Sequence, residues 1–205
     1  MKGLKGLEIV VFDVETTGLS PYNGDRIVEI AILKIRNFKV TDRYETFINP
    51  LREISYGAFL VNGITNDMIK DAPVASEVIP EIINFMKGSC LVGHNVRFDL
   101  GFLNNEFQLE GYSSIDHPAI IDTVRMSRGL MPSLPRHSLS SVAYALGVKE
   151  EQQHRAMADV EMTCRIFFKL LTIAHQKGID DFSKIIDMFG LLSMPARTQA
   201  GEKLQ

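Results

Sequence analysis

A chain of 205 residues, 45% hydrophobic and 23% charged, can bury one good core and reads as a globular protein of about one domain. Its 22 Lys+Arg against 25 Asp+Glu leave a net charge of −3, so no global basic field would hold it on nucleic acid as a coating protein, although an enzyme whose bound cations offset its acids fits well. No uncharged run approaches the roughly 20 apolar residues of a membrane span.

Residues 7–14, "LEIVVFDV", form an unbroken apolar run rich in Val and Ile that predicts a buried strand. The stretches 25–36, "DRIVEIAILKIR", and 42–49, "DRYETFIN", alternate as half-buried strands do, with Ile27, Glu29 and Ala31 on one face of the first. Short polar turns separate them, so the opening third is expected to be an antiparallel meander. Residues 76–88 then show apolar positions at helical spacing and a Gly stop, and "CLVGHN" reads as a short strand. A helix is expected from Val96 to Glu110, a short strand at "PAIIDT", and helices at "HSLSSVAYALG" and 154–178. Ile166, Phe167, Leu170, Leu171 and Ala174 make an apolar stripe on the last of these. A short helix over 181–189 follows, and residues 191–205 read as a flexible tail beyond a domain of residues 1–190.

Three meander strands and two later short ones predict a mixed five-stranded sheet flanked by helices, with the first strand central. Chemistry would collect at the C-terminal end of that strand. Cys90 and Cys164, far apart in apolar surroundings, read as reduced core thiols. The early apolar run, Ile9 to Phe12, is too short for a signal peptide, and a cytoplasmic protein is expected.

The first strand ends in "FDVETTGLS". Residues two apart on a strand project to one side, so Asp13 and Glu15 stand together with Val14 opposite. Two like charges about 7 Å apart at the end of a buried strand repel and lose solvation, and a cation would relieve both costs. Asp99, in "GHNVRFDLGFL", falls in the first turn of its helix, where an acid also suits the helix dipole. His154 and Asp159, in "HRAMADVEMT", are five apart. They can face one point if the helix starts near Ala156 and His154 lies on the loop before it. Glu161 would point elsewhere. His94 and His137 read as structural, His137 as a hydrogen-bond donor.

These three segments resemble the DnaQ-like 3′→5′ exonucleases, in the subgroup with four acids and a histidine. "FDVETTGL", "HNVRFDLGFL" and "HRAMADVEMT" are similar to the family's three motifs in order and spacing, and "INPLREISYGAFLVNGITNDMIKDAP" to the segment between the first two. The likeness covers about residues 7–178 and is nearest to proofreading exonuclease subunits and domains of bacterial C-family replicative polymerases. It implies an RNase H-like fold and two divalent cations, Mg²⁺ or Mn²⁺. Asp13, Glu15, Asp99 and Asp159 would be the metal ligands and His154 the general base. The related subgroup carries Tyr at the position of Arg155, so the histidine subgroup is the match.

The resemblance also implies substrate contacts. Thr16, Thr17 and Gly18 would offer backbone N–H groups to a terminal nucleotide, Leu19 would wedge against its base, and Asn95 and Phe98 would line its pocket. Several relatives have a His in a Val-His-Gly-Ile stretch. This chain has Asn62, which can hydrogen-bond but cannot become a cation. The implied partner is the 3′ end of single-stranded DNA, with RNA as the alternative, and a polymerase subunit is a further partner consistent with the likeness. Two other readings compete. "DVETT" superficially resembles the Asp-x-Asp-x-Thr motif of haloacid-dehalogenase-like phosphatases, but Glu15 is the wrong acid and a meander follows. A non-catalytic polymerase-associated module would fit the loss of a ligand, and all four acids are present.

Overall fold

The computed structural model describes residues 1–113, 117–149 and 155–191. Strands β1 (Glu8–Thr16), β2 (Ile27–Arg36) and β3 (Lys39–Phe47) form the expected antiparallel meander. Helices α1 (Tyr56–Asn62), α2 (Asn66–Ile69) and α3 (Ala75–Met86) lead into β4 (Cys90–Gly93), which runs parallel to β1. Helix α4 (Arg97–Leu109) crosses to β5 (Ile120–Asp122), parallel to β4. Then come α5 (Thr123–Leu130), α6 (Leu139–Ala145), α7 (Ala156–Gln176), α8 (Phe182–Phe189) and β6 (Gly190–Leu191). The sheet order is β3-β2-β1-β4-β5-β6, so β1 is central, as its apolar run predicts.

Among the described residues the sheet has six strands in place of the five expected. The sixth, β6, is a two-residue edge pairing antiparallel to β5 and too short to show any alternation. Of the expected tail only Leu191 is described.

The pleat of β1 divides its side chains between two cores. Val10, Phe12 and Val14 pack with Val78, Ile79 and Ile82 of α3 and Leu100, Phe102 and Leu103 of α4. Ile9 and Val11 pack on the other face with Val160, Ile166, Phe167 and Leu170 of α7. Each such side chain contributes about 1.5–3 kcal/mol by leaving water. Strand β2 differs from its expected half-burial. It is buried on both faces from Ile27 to Leu33, because α7 covers one side and the α3–α4 layer the other. Cys90 and Cys164 are free and buried, and burial pushes the Cys90 thiol up to about 12. Among the described residues no helix is long and apolar enough to cross a membrane.

Candidate active site

The odd-numbered residues of β1 face α7, so Asp13 and Glu15 emerge on that face where the apolar run ends. Helix α7 begins at Ala156, as the spacing of residues 154 and 159 requires, and Asp159 lies in its first turn. One carboxylate oxygen from each of Asp13, Glu15 and Asp159 lies within 4.8 Å of the others. Asp99 arrives from the first turn of α4, buried at 2% exposure, and its Oδ1 accepts the Val14 N–H at 3.1 Å. That bond fastens the start of α4 to the end of β1, where Asp99 lies close enough to Asp13 and Glu15 for mutual repulsion.

Burial and mutual repulsion oppose ionisation here. Desolvation, then Asp99, Glu15 and Asp159 in turn, hold Asp13 well above the usual carboxylate range. Glu15 is raised to about 7, first by desolvation and then by Asp159 and Glu29, with Asn62 hydrogen bonding working against the rise. Asp99 is raised to about 8 by desolvation, opposed by the bond from Val14. Such a set of closely grouped hard oxygen donors matches what a small divalent cation needs, and a cation would reverse the electrostatic cost.

The other residues singled out in the sequence fall around this cluster. Thr16 and Thr17 are buried, and Leu19 is 86% exposed beside them. The Thr17 N–H does not face an open site. It donates to the Arg26 carbonyl at 2.9 Å, closing the turn back onto the start of β2. A Cβ on Gly18 would meet the Asp25 carboxylate at 2.4 Å, and Asp25 is itself fixed by the Ser20 N–H and the Thr17 hydroxyl. Gly18 is therefore required by this close approach. Asn62 is buried at the end of α1, donating to the Thr16 carbonyl and accepting from Ile64 N–H. Asn95 is exposed in a left-handed backbone conformation, φ 62°. Phe98 packs on Phe102 with ring centroids 5.0 Å apart and keeps part of its surface open. His154 lies outside the described residues.

Three supporting residues were not nominated as site residues. Glu29 on β2 sits opposite Glu15 and is 1% exposed. Arg155 holds it, Nη2 to Oε1 at 2.8 Å. Asp122 caps α5 through the Val124 N–H and also accepts the Asn95 N–H, which fixes the turn between β4 and α4. A carboxylate inside an otherwise apolar strand, "IVEIAIL", was the legible signal for Glu29. His94 is structural. Its Nε2 donates to the His137 carbonyl at 3.0 Å, its Nδ1 meets the Thr123 hydroxyl, and burial lowers its pKa. His137 in turn bonds Ser127. Glu161 points away from the acids to Arg43 and Arg165.

A mixed sheet between helical layers, with acids of β1 and α7 gathered where the central strand ends and Asp99 of α4 bonded to that strand, has an RNase H-like architecture. The chain belongs to the RNase_T family, described as exonuclease, whose model matches residues 10–167. Among its relatives is the PolC-type DNA polymerase III of Caldanaerobacter subterraneus subsp. tengcongensis, 40% identical over 178 residues, with 87% of this chain and 12% of that protein covered. The Bacillus subtilis PolC-type polymerase III is 37% identical over 182 residues, covering 88% of this chain and 12% of the polymerase. The chain thus spans about an eighth of the length of these relatives. Solved structures share the fold: Escherichia coli exonuclease I in complex with a dT13 oligonucleotide has a TM-score of 0.74 at 23% identity, covering 85% of this chain and 43% of that one. Exonuclease X in complex with 5′-overhanging duplex DNA has a TM-score of 0.65 at 24% identity, covering 88% and 98%.

Proposed function

We propose that residues 1–190 form a metal-dependent 3′→5′ exonuclease domain that releases nucleoside 5′-monophosphates from single-stranded DNA ends, in proofreading or repair. The observation that carries this reading is the convergence of Asp13, Glu15 and Asp159, joined by buried Asp99, at the end of β1. DNA is favoured over RNA because the relatives are DNA polymerases and the two solved neighbours are complexes with DNA. The same relatives support work in the cytoplasm, as part of a polymerase or bound to one.

In this reading Asp13, Glu15, Asp99 and Asp159 hold two divalent cations, Mg²⁺ or Mn²⁺. Such ions, when bound, would supply charge neutralisation at the phosphoryl group and an acidified water. The protein's own part is to bind and orient. Leu19, exposed beside the acids, presents an apolar edge to the terminal base, and the Gly18–Leu19 backbone lies close to the sugar-phosphate. Phe98 and Asn95 would line the nucleotide's pocket, and Asn62 steadies the turn through the Thr16 carbonyl. His154, just ahead of α7 in sequence, takes the proton of the attacking water. Its ordinary pKa of about 6.5 suits that step near neutrality.

A 5′-end-labelled oligonucleotide, offered as DNA and as RNA with Mg²⁺ or Mn²⁺, tests this. A ladder that shortens from the 3′ end and stops on chelation is expected, faster on DNA. No shortening with either metal overturns the proposal.

A further inference from the structure

Glu29 raises a question that the four acids do not answer. A fifth carboxylate, 1% exposed, stands beside a cluster already crowded with negative charge. Burying it there is costly unless it is held by a partner that the fold needs. Its bonds identify that partner. Arg155 reaches both oxygens, with Nη2 at 2.8 Å and Nε at 3.3 and 3.4 Å, and the Ala156 N–H donates to Oε2 at 3.3 Å. Arg155 also lies over the Phe47 ring, 5.4 Å from its centroid, which keeps the guanidinium against the sheet.

These contacts meet at the first residues of α7. The Ala156 N–H is one of the unpaired donors at the start of a helix, and Glu29 satisfies it from across the sheet. The Arg155 carbonyl accepts the Asp159 N–H at 3.1 Å, so the backbone of the acid is tied to the residue that Glu29 grips. On β2, Glu29 is directly opposite Glu15. One carboxylate therefore references α7 to the strand pair that carries Asp13 and Glu15.

We infer that Glu29 and Arg155 form a positioning latch that sets where α7 begins, and hence where Asp159 stands relative to Asp13 and Glu15. The latch rests on the function proposed above for its catalytic consequence, but its structural half is independent of it. The contacts shown for the pair are to each other, to the Ala156 N–H and to the Phe47 ring, which makes its role one of positioning. Arg155 would serve a second end by fixing the chain immediately after residue 154.

The test combines kinetics with amide hydrogen exchange in Glu29→Gln, Arg155→Ala and Arg155→Lys. Glu29→Gln and Arg155→Ala should speed exchange at the Ala156 and Asp159 amides by about tenfold; the global unfolding midpoint should stay near that of the parent in Glu29→Gln, which removes the buried charge, and fall in Arg155→Ala, which leaves it unpaired. On a single-stranded DNA 3′ end they should lower kcat by about 10- to 100-fold and leave KM within about twofold, as expected when catalytic groups are misplaced and binding is not. Arg155→Lys, which keeps the charge without the fork, should recover part of kcat. Unchanged exchange at those two amides overturns the latch, as does faster exchange with an unchanged kcat. Should the parent protein be inactive on every 3′ end, the proposed function falls, and the exchange rates alone decide the latch.

Discussion

Two places in this molecule bury carboxylates, and they meet the cost in opposite ways. At the start of β2, Glu106 of α4, 3% exposed, accepts Arg26 Nε and Nη2 at 2.7 Å each, and Ile27 N–H at 3.3 Å. The charge is matched inside the chain, and the bidentate fork locks α4 to the sheet. At the end of β1, Asp13, Glu15 and Asp159 face one another with Asp99 close enough to repel Asp13, and the guanidinium of Arg155 is bound to Glu29. A protein that neutralises one buried acid with a guanidinium fork and gathers Asp13, Glu15 and Asp159 elsewhere has, in the second place, a donor set suited to a cation.

The contrast predicts opposite responses to removing an acid. Asp159→Ala should lower exonuclease rate by about 10³-fold, because a phosphoryl clamp contributes several kcal/mol to the transition state. In chelator the same variant should melt no lower than the parent, since it relieves repulsion. A gel assay and a thermal melt read the two halves. Glu106→Ala should do the reverse, costing about 3 kcal/mol in denaturant unfolding by leaving Arg26 without its partner, with little direct effect on chemistry.

Proton linkage gives the next largest effect. Glu15 and Asp99 are raised to about 7 and about 8, above their ordinary 4.5 and 3.8. In chelator the folded state therefore keeps protons that the unfolded state has released, and stability should fall as pH rises from about 4 through 8. Mg²⁺ or Mn²⁺ favours the charged carboxylates, so its stabilisation should grow over the same range. At 100-fold above its dissociation constant it should reach about 5–10 °C in melting temperature. A pH-independent melt in chelator would count against the grouping of acids. Leu19→Ala is the mildest change. With 86% of its surface already in water it should leave stability alone and raise KM about fivefold, the loss of roughly 1 kcal/mol of contact with a base.

The parts of this architecture that were legible in sequence are those where burial and chemistry share a period. The apolar run of β1 marks the central strand, and its two-residue alternation puts Asp13 and Glu15 on one side. The stripe of α7 is similarly plain. Helix α5 was missed because its buried positions, Thr123, Met126, Ser127 and Leu130, are half polar and leave no apolar rhythm. Helix α1 was missed for a different reason: Tyr56, Leu60 and Val61 face outward, and its buried residue is Asn62. The acids could be nominated from their neighbours, whereas the partners of Glu29 and Asp122 depend on contacts across 126 and 27 positions, which local pattern does not contain.

The pleat of β1 has one more consequence, for folding rather than catalysis. A shift of one residue against β2 would turn Val14 toward α7 and drive Asp13 and Glu15 into the core of Ile79, Ile82 and Phe102. Two ionised carboxylates could not stay there, whereas an all-apolar strand would tolerate the slip. The acids thus act as alignment marks while the sheet assembles. A variant with apolar residues at both positions could still collapse, but into more than one pairing of its central strands.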